Sequence, residues 1–232
     1  MVSQRRRARA RPRRAQGPED GSRERLLAAA AHEFAARGFD GAKVDRIAAR
    51  ARVNKAMLYY HFDHKLALYR EVLRDVFGGA AQAVEALQDE ARDPVDQVCA
   101  FVAAVAHNAV TRPHFPPIWL REMAEGGRHL DEAVVGDMRR VMITLARILD
   151  AGRRAGCFRH VHPLIAQMTI VAPLLFFVAS EPVRTRLRDQ APFPLTGVTL
   201  DAVIAHVQQA TLSALLTTEP TPGRMAPRRS HA

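Results

Sequence analysis

The chain has 232 residues, 48% hydrophobic and 6% aromatic, which is enough apolar material for one large domain or two small ones. Its wealth of Ala and Leu favours helices over sheets. The formal charge of +10 sits at the ends, with seven arginines and no acid in residues 1–14 and three arginines and no acid in 224–232, so a uniformly basic fold is excluded.

The two cysteines, Cys99 and Cys157, suggest no disulfide framework and point to a reducing, cytoplasmic setting. Residues 1–21 are rich in Arg, Pro, Ala and Gly without periodicity and read as a disordered arm. They lack the apolar segment of a secretory signal. Two readings stay open for the arm: it tracks a DNA backbone or minor groove, or it is a solvated tail. Ser22 is expected to cap a first helix with the stripe Leu26, Leu27, Ala30, Ala31 and Phe34. Gly38 is expected to end it in the left-handed conformation, with Phe39 to Lys43 as connector.

Val44 to Lys65 reads as two short helices around a tight turn. Val44, Ile47, Ala48 and Ala51 fall at i, i+3, i+4 and i+7, one face of a helix. Asn54 is a good N-cap for the second helix, and Leu58 and Phe62 give that helix its buried side. Lys55, Ala56, Met57, Tyr59, Tyr60 and His61 are left outside, a positive, aromatic, hydrogen-bonding surface on a rod of about two turns. Such a rod fits a major groove, although a solvated helical hairpin has the same pattern. Charge favours the groove: residues 22–70 hold ten basic and five acidic side chains. The only lysines of the chain, Lys43, Lys55 and Lys65, all lie in or beside this unit.

The segment Ser22 to Leu73 resembles the DNA-binding domain of the TetR (tetracycline repressor-like) family of transcriptional regulators. The resemblance is carried by RLLAAAAHEFAARGFDGAKVDRIAARA, VNKAMLYYHF and KLAL, without a gap. It implies DNA contacts from Lys43, Arg46, Asn54, Lys55, Ala56, Met57, Tyr59, Tyr60, His61 and Lys65, the last resembling the family's phosphate-contacting lysine. Two positions depart from the family pattern. Arg52 stands where a turn glycine is usual, and Ala42 stands where Thr or Ser often meets phosphate.

In the fourth helix Leu66, Tyr69, Val72, Leu73 and Val76 continue an apolar face, and Gly78-Gly79 is either a hinge or a tolerated weak spot. Further helices are expected over 95–111, 118–125, 131–151, 163–179 and 200–216. Residues 152–162 read as a basic connector, 180–198 as loop and 218–232 as a disordered tail. In the long helix Val134, Val135, Met138, Val141, Met142, Leu145, Ile148 and Leu149 are expected inward. The run Leu164 to Ala179 is too short and too interrupted, by Gln167 and Pro173, to span a membrane. The helices at 163–179 and 200–216 are too apolar all round to face water, and the resemblance implies that they pair across a twofold axis in a homodimer.

A small-molecule pocket is expected among Phe101, His107, Phe115, Trp119, Met123, Met142, Met168, Phe176 and Phe177, with Glu122 as a polar contact; ordinary core packing is the alternative for each. Cys157, His160 and His162 match no common zinc spacing, and His162 before Pro163 also suits a helix cap. No cofactor or metal is expected. The fold is expected to be all-α, with a three-helix helix-turn-helix DNA-binding domain at 22–68 and a larger helical ligand-sensing and dimerisation domain at 69–217. The expected function is sequence-specific transcriptional regulation, as a repressor released from a palindromic operator by a small apolar effector. The rivals are an effector-independent architectural DNA-binding protein and an enzyme built from scattered His and Glu residues.

Overall fold

The computed structural model describes residues 20–87, 92–195 and 197–217. The expected arm therefore lies outside the described residues except at its last two positions, and the tail at 218–232 lies wholly outside them. Among the described residues the chain forms ten helices, α1 (Asp20–Gly41), α2 (Val44–Ala51), α3 (Lys55–Phe62), α4 (Lys65–Glu85), α5 (Pro94–Thr111), α6 (Phe115–Ala124), α7 (Glu132–Arg154), α8 (Pro163–Ala179), α9 (Glu181–Leu187) and α10 (Leu200–Leu215). One isolated antiparallel bridge joins Phe158 and Leu216 and ties the end of α7 to the end of α10.

Capping side chains mark most of the helix starts. Asn54 accepts from Met57 N at 2.8 Å, Asp93 from Val95 N at 2.8 Å and Asp131 from Val134 N at 3.1 Å. His64, His162 and Thr199 do the same for α4, α8 and α10. Ser22 does not. The first helix begins at Asp20, two residues earlier than expected, and the buried Ser22 hydroxyl instead lies 2.8 Å from His61 Nε2. Gly38 has the expected positive φ, but its pair of angles (68°, 179°) belongs to a region open only to glycine, not to the left-handed helix. The chain bends there and continues for another turn to Gly41.

The body departs from expectation in four places. Helix α6 begins at Phe115, three residues before the expected 118, because Pro116 and Pro117 both suit a first turn. Residues 181–187 are helical, a short exposed α9 rather than loop, because Pro182 suits a first turn and no apolar stripe announced it. The long helix runs to Arg154, and its Gly152 lets the Phe158 ring lie directly on the backbone. Val135 is 51% exposed, whereas Val134, Thr144, Leu145, Ile148 and Leu149 are buried and Met138 and Val141 pack against the cores.

Two apolar cores result. The first runs without a break from Leu26, Phe34, Ile47 and Leu58 through Leu68, Leu73 and Phe77 of α4 to Phe115 and Ile118. The second gathers Val98, Phe101, Leu145, Ile170, Leu174, Ile204 and Val207. Helix α4 belongs to both, through Phe77 and Val84, and with the packing of α1 on α6 it links the N-terminal unit to the body. Among the described residues no single helix is long and apolar enough to cross a membrane; α8 with α9, bent by 55°, meets that test only as a broken pair.

Candidate nucleic-acid interface and effector cavity

Helix α3 is held from beneath and bare above. Leu58 and Phe62 are buried, whereas Tyr59 is 43% and Tyr60 69% exposed, and Asn54, Lys55 and Ala56 are exposed beside them. Met57 is half-buried. Two large aromatic rings on the outer side of a short rod have no use in the core and suit a partner surface.

The turn before α3 is tight because Arg52 adopts a left-handed conformation (φ 56°, ψ 44°) and its N–H returns to the end of α2. The turn after it is tighter. Asp63 (φ 53°, ψ −54°) forms a strained three-residue turn in which His64 N–H donates to the Phe62 carbonyl. Neither position is glycine, so both sides of α3 are joined by backbone that the body must hold in place.

The cations around α3 divide by partner. Lys43, the exposed N-cap of α2, offers no side-chain acceptor to the first turn, where the Arg46 N–H already donates to the Lys43 carbonyl; the start of the helix suits an outside oxygen. Lys55 pairs with Asp45 at 2.9 Å, and that carboxylate holds the ammonium above its ordinary range. Lys65 sits 4.6 Å over the Phe39 ring and 3.4 Å from the Asp40 carbonyl, a cation fixed at the start of α4.

Two of the expected contact residues also have partners within the unit. Arg46 donates to Glu33 Oε1 at 2.5 Å and to the Gly41 carbonyl at 2.8 Å, so it satisfies a buried carboxylate of α1. Burial alone raises the Glu33 pKa, but the Arg46 hydrogen bond and the Lys43 N–H outweigh it and hold the carboxyl below its usual range. His61 is half-buried and engaged with Ser22, so it braces α3 against α1. Ala42 is buried, and a hydroxyl there would point into the core.

The body attaches to this unit through polar contacts to α4 and α1. Tyr69 donates to the buried Glu122 Oε1 at 2.6 Å, and His129 Nδ1 lies 2.9 Å from the same oxygen. Arg128 pairs with Asp40, and Arg121 donates to the Ala36 carbonyl. A chain of ion pairs runs from Arg23 through Glu71 and Arg74 to Asp131, the cap of α7. Among the described residues the trio with metal-ligand geometry is Glu122, Glu125 and His129, not Cys157, His160 and His162. His162 instead caps α8, accepting from Leu164 N at 3.2 Å.

A cavity of about 50 Å³ opens between α4, α5, α6, α7 and α8. Its walls are Phe77, Ala80, Val84, Val105, Asn108, Phe115, Trp119, Met138, Val141, Gln167 and Val171. Of the residues expected to form a pocket, Phe115 and Trp119 line it. Phe101 is buried in the second core and His107 faces outward, bonded to the Ala103 carbonyl. Glu122 faces Tyr69, Met142 lies off the cavity, and Met123 is 43% exposed. Met168 and Phe176 lie on the open side of α8, and Phe177 packs beneath the Arg184 guanidinium. Helical register explains these misses: residues one or two positions apart point to different sides, and aromatic content alone does not say which. A better signal is polar. Asn108 interrupts the stripe Val98, Phe101, Val105, and Gln167 shares a face with Val171 and Leu174.

Known proteins match this arrangement. Residues 26–72 fit the model of bacterial regulatory proteins of the tetR family, and residues 94–192 fit that of a tetracyclin repressor-like C-terminal domain. The chain is 29% identical to the HTH-type transcriptional repressor NicS of Pseudomonas putida, over 69% of this chain and 77% of that protein. It is 38% identical to the HTH-type transcriptional activator FasR of Mycolicibacterium smegmatis, but that match spans only 40% of this chain and 44% of the relative. A solved tetR-family regulatory protein from Rhodococcus superposes with a TM-score of 0.69 over 85% of this chain and 98% of its own, at 18% identity, a likeness of fold alone.

Proposed function

This chain belongs to the tetR family of bacterial regulatory proteins, and we propose that it works as a homodimeric repressor released from a palindromic operator by a small molecule held in the body. As a member of that family it is a DNA-binding transcription factor and not an enzyme. The bare outer side of α3 carries the reading: Lys55, Ala56, Tyr59 and Tyr60 stand exposed on a rod, with Lys43 and Lys65 on its flanks. Tyr60, Met57 and Ala56 are positioned for base edges, and Lys43, Lys55 and Lys65 for phosphates. DNA binding also favours the cytoplasm as the place of action.

The pairing surface is on α8 and α10. Ile165, Met168 and Phe176 are 60%, 62% and 66% exposed, at spacings that put them on one side of α8. Ala202, Ala205 and Ala210 are exposed on α10, where small residues permit close approach by a second copy. Repression rather than activation is the sign suggested by NicS, the relative matched over the greater length; FasR, matched over less, is an activator.

The mechanism is a shift between two states. In one, the paired α3 rods sit about one turn of DNA apart, roughly 34 Å. An occupant of the cavity presses on Phe77, Ala80 and Val84 of α4, whose other end carries Lys65 and the turn into α3. The occupant changes the rod spacing only by its differential affinity for the two states. Selecting bound sequences from a random DNA pool tests the reading. The expected result is an inverted repeat bound by two protomers; a set of bound sequences with no preference, or single half-sites bound by one protomer, overturns it.

A further inference from the structure

The cavity among α4, α5, α6, α7 and α8 has a directional polar edge. Asn108 is 4% exposed, and its Nδ2 has no hydrogen-bond partner although it lines the cavity. Its orientation is set from behind: Oδ1 accepts from the Arg112 guanidinium at 2.8 Å, and turning the amide over would place an N–H₂ against that cation. The donor therefore points away from Arg112, with no protein partner, on a residue that lines the cavity. The Arg112 guanidinium is seated over Gly79, where an added Cβ would lie only 2.5 Å from its central carbon. This explains Gly79 as a seat rather than a hinge. Across the cavity Gln167 Oε1 is a buried acceptor, also without a partner. No charged side chain lines the walls, and the other lining residues are apolar.

We propose that the effector is a compact neutral molecule whose apolar body sits among Phe77, Trp119 and Val171 and whose polar edge carries a carbonyl-type acceptor beside an N–H or O–H donor, as in a carboxamide or lactam. The acceptor meets Asn108 Nδ2 and the donor meets Gln167 Oε1. An anion is disfavoured because its charge would enter an apolar wall with only amides to receive it. A plain hydrocarbon is disfavoured because it would leave both buried amide groups unpaired. The inference rests on the effector reading above and adds the ligand class to it.

Four probes of one shape, each larger than the resting cavity of about 50 Å³ so that binding must spread its walls, separate the terms: benzamide has acceptor and donor, acetophenone acceptor only, ethylbenzene neither, and benzoate a charge. Binding to the full chain is read by calorimetry, and release from the selected DNA by fluorescence anisotropy. The expected order is benzamide, then acetophenone, then ethylbenzene, with benzoate weakest. Gln167→Leu should weaken benzamide by about tenfold while leaving acetophenone unchanged, each tenfold step being one hydrogen bond's worth. Asn108→Asp keeps an acceptor for Arg112 but removes the donor, and should weaken acetophenone by a similar factor. Both variants must first show the wild-type helical signal and cooperative melting. Should ethylbenzene or benzoate bind best, or both variants bind all four probes like wild type, the polar edge holds buried water only and the ligand class is wrong, while the effector reading stands. If no probe binds, the ligand class fails, and if an extract of host metabolites also leaves the DNA complex intact, the effector reading fails with it.

Discussion

The phenol of Tyr69 donates to Glu122 Oε1 across 2.6 Å, joining the first turns of α4 to α6 inside the protein. Tyr69 is 2% and Glu122 1% exposed, so this bond lies where the N-terminal unit and the body share one core. Removing the hydroxyl leaves a buried carboxylate short of a donor. Tyr69→Phe is expected to cost roughly 1–3 kcal/mol, seen as a lower melting temperature. Under the proposed mechanism α4 carries the load between cavity and rod, so the variant should also blunt release of DNA by effector. A melting temperature equal to wild type would show that the bond contributes nothing.

The same phenol predicts alkaline behaviour. Burial first, and the Glu122 hydrogen bond second, push its pKa well above the ordinary 10.0. The folded state then keeps a proton that the unfolded chain releases above about pH 10. Its contribution is intact below pH 10 and fades as pH rises beyond it. Urea midpoints between pH 8 and 11 should fall more steeply for wild type than for Tyr69→Phe; parallel curves would contradict this.

Arg52 occupies left-handed backbone at φ 56° where a side chain is disfavoured. Glycine there removes the clash and keeps the N–H that closes α2. Arg52→Gly is expected to gain about 1 kcal/mol of stability, measured by thermal melting. An unchanged or lower melting temperature would mean that the Arg52 side chain gains more than the backbone loses.

The N-terminal unit was more legible in the chain than the body was, for a physical reason. Helices α2 and α3 are short, so Ile47, Ala51, Leu58 and Phe62 had one arrangement that buried them all, and the structure buries them. The capping role of Asn54 was equally local. The Ser22–His61 contact joins residues 39 positions apart in different helices, and no local pattern records it. The hold of the buried Glu33 on Arg46 was equally invisible, because the carboxylate lies in another helix. In the body, α8 is apolar on every side, so its sequence does not distinguish Met168 and Phe176 on the open face from Ile170 and Leu174 in the core. A pocket was expected, and Phe115 and Trp119 do line it, but the two unpaired amides of Asn108 and Gln167 that mark it escaped a reading built on aromatic and Met residues.

The different partners of Arg46 and Lys65 separate folding from binding. Lys65 has a carbonyl at 3.4 Å and an aromatic ring for neighbours, and neither neutralises its charge. Lys65→Ala should weaken all DNA sequences alike and lower the salt slope by about 0.9, one phosphate's share. Tyr60→Ala should change which sequences are preferred. Arg46→Ala should instead lower thermal stability, because it strips the main partner from the buried Glu33. Anisotropy titrations across a salt series, with melting curves beside them, distinguish the three; a steepened salt slope in Lys65→Ala would refute its assignment.

The open side of α8 gives the sharpest test of assembly. Met168 is 62% exposed and lies one turn from Ile165 and two from Phe176, both also exposed, while Ile170 and Leu174 hold the helix to the body from the other side. Glutamate at Met168 leaves those inner contacts untouched, so the monomer fold should survive with its helical signal intact. Pairing should not survive, because two carboxylates would be brought together in an apolar seam. Loss of pairing turns two tethered rods into independent ones, and linked binding is worth about 10²-fold or more. Met168→Glu is therefore expected to run as a monomer by light scattering and to bind the inverted repeat about as weakly as a single half-site. A stable dimer with wild-type affinity would place the twofold axis on another face of the body.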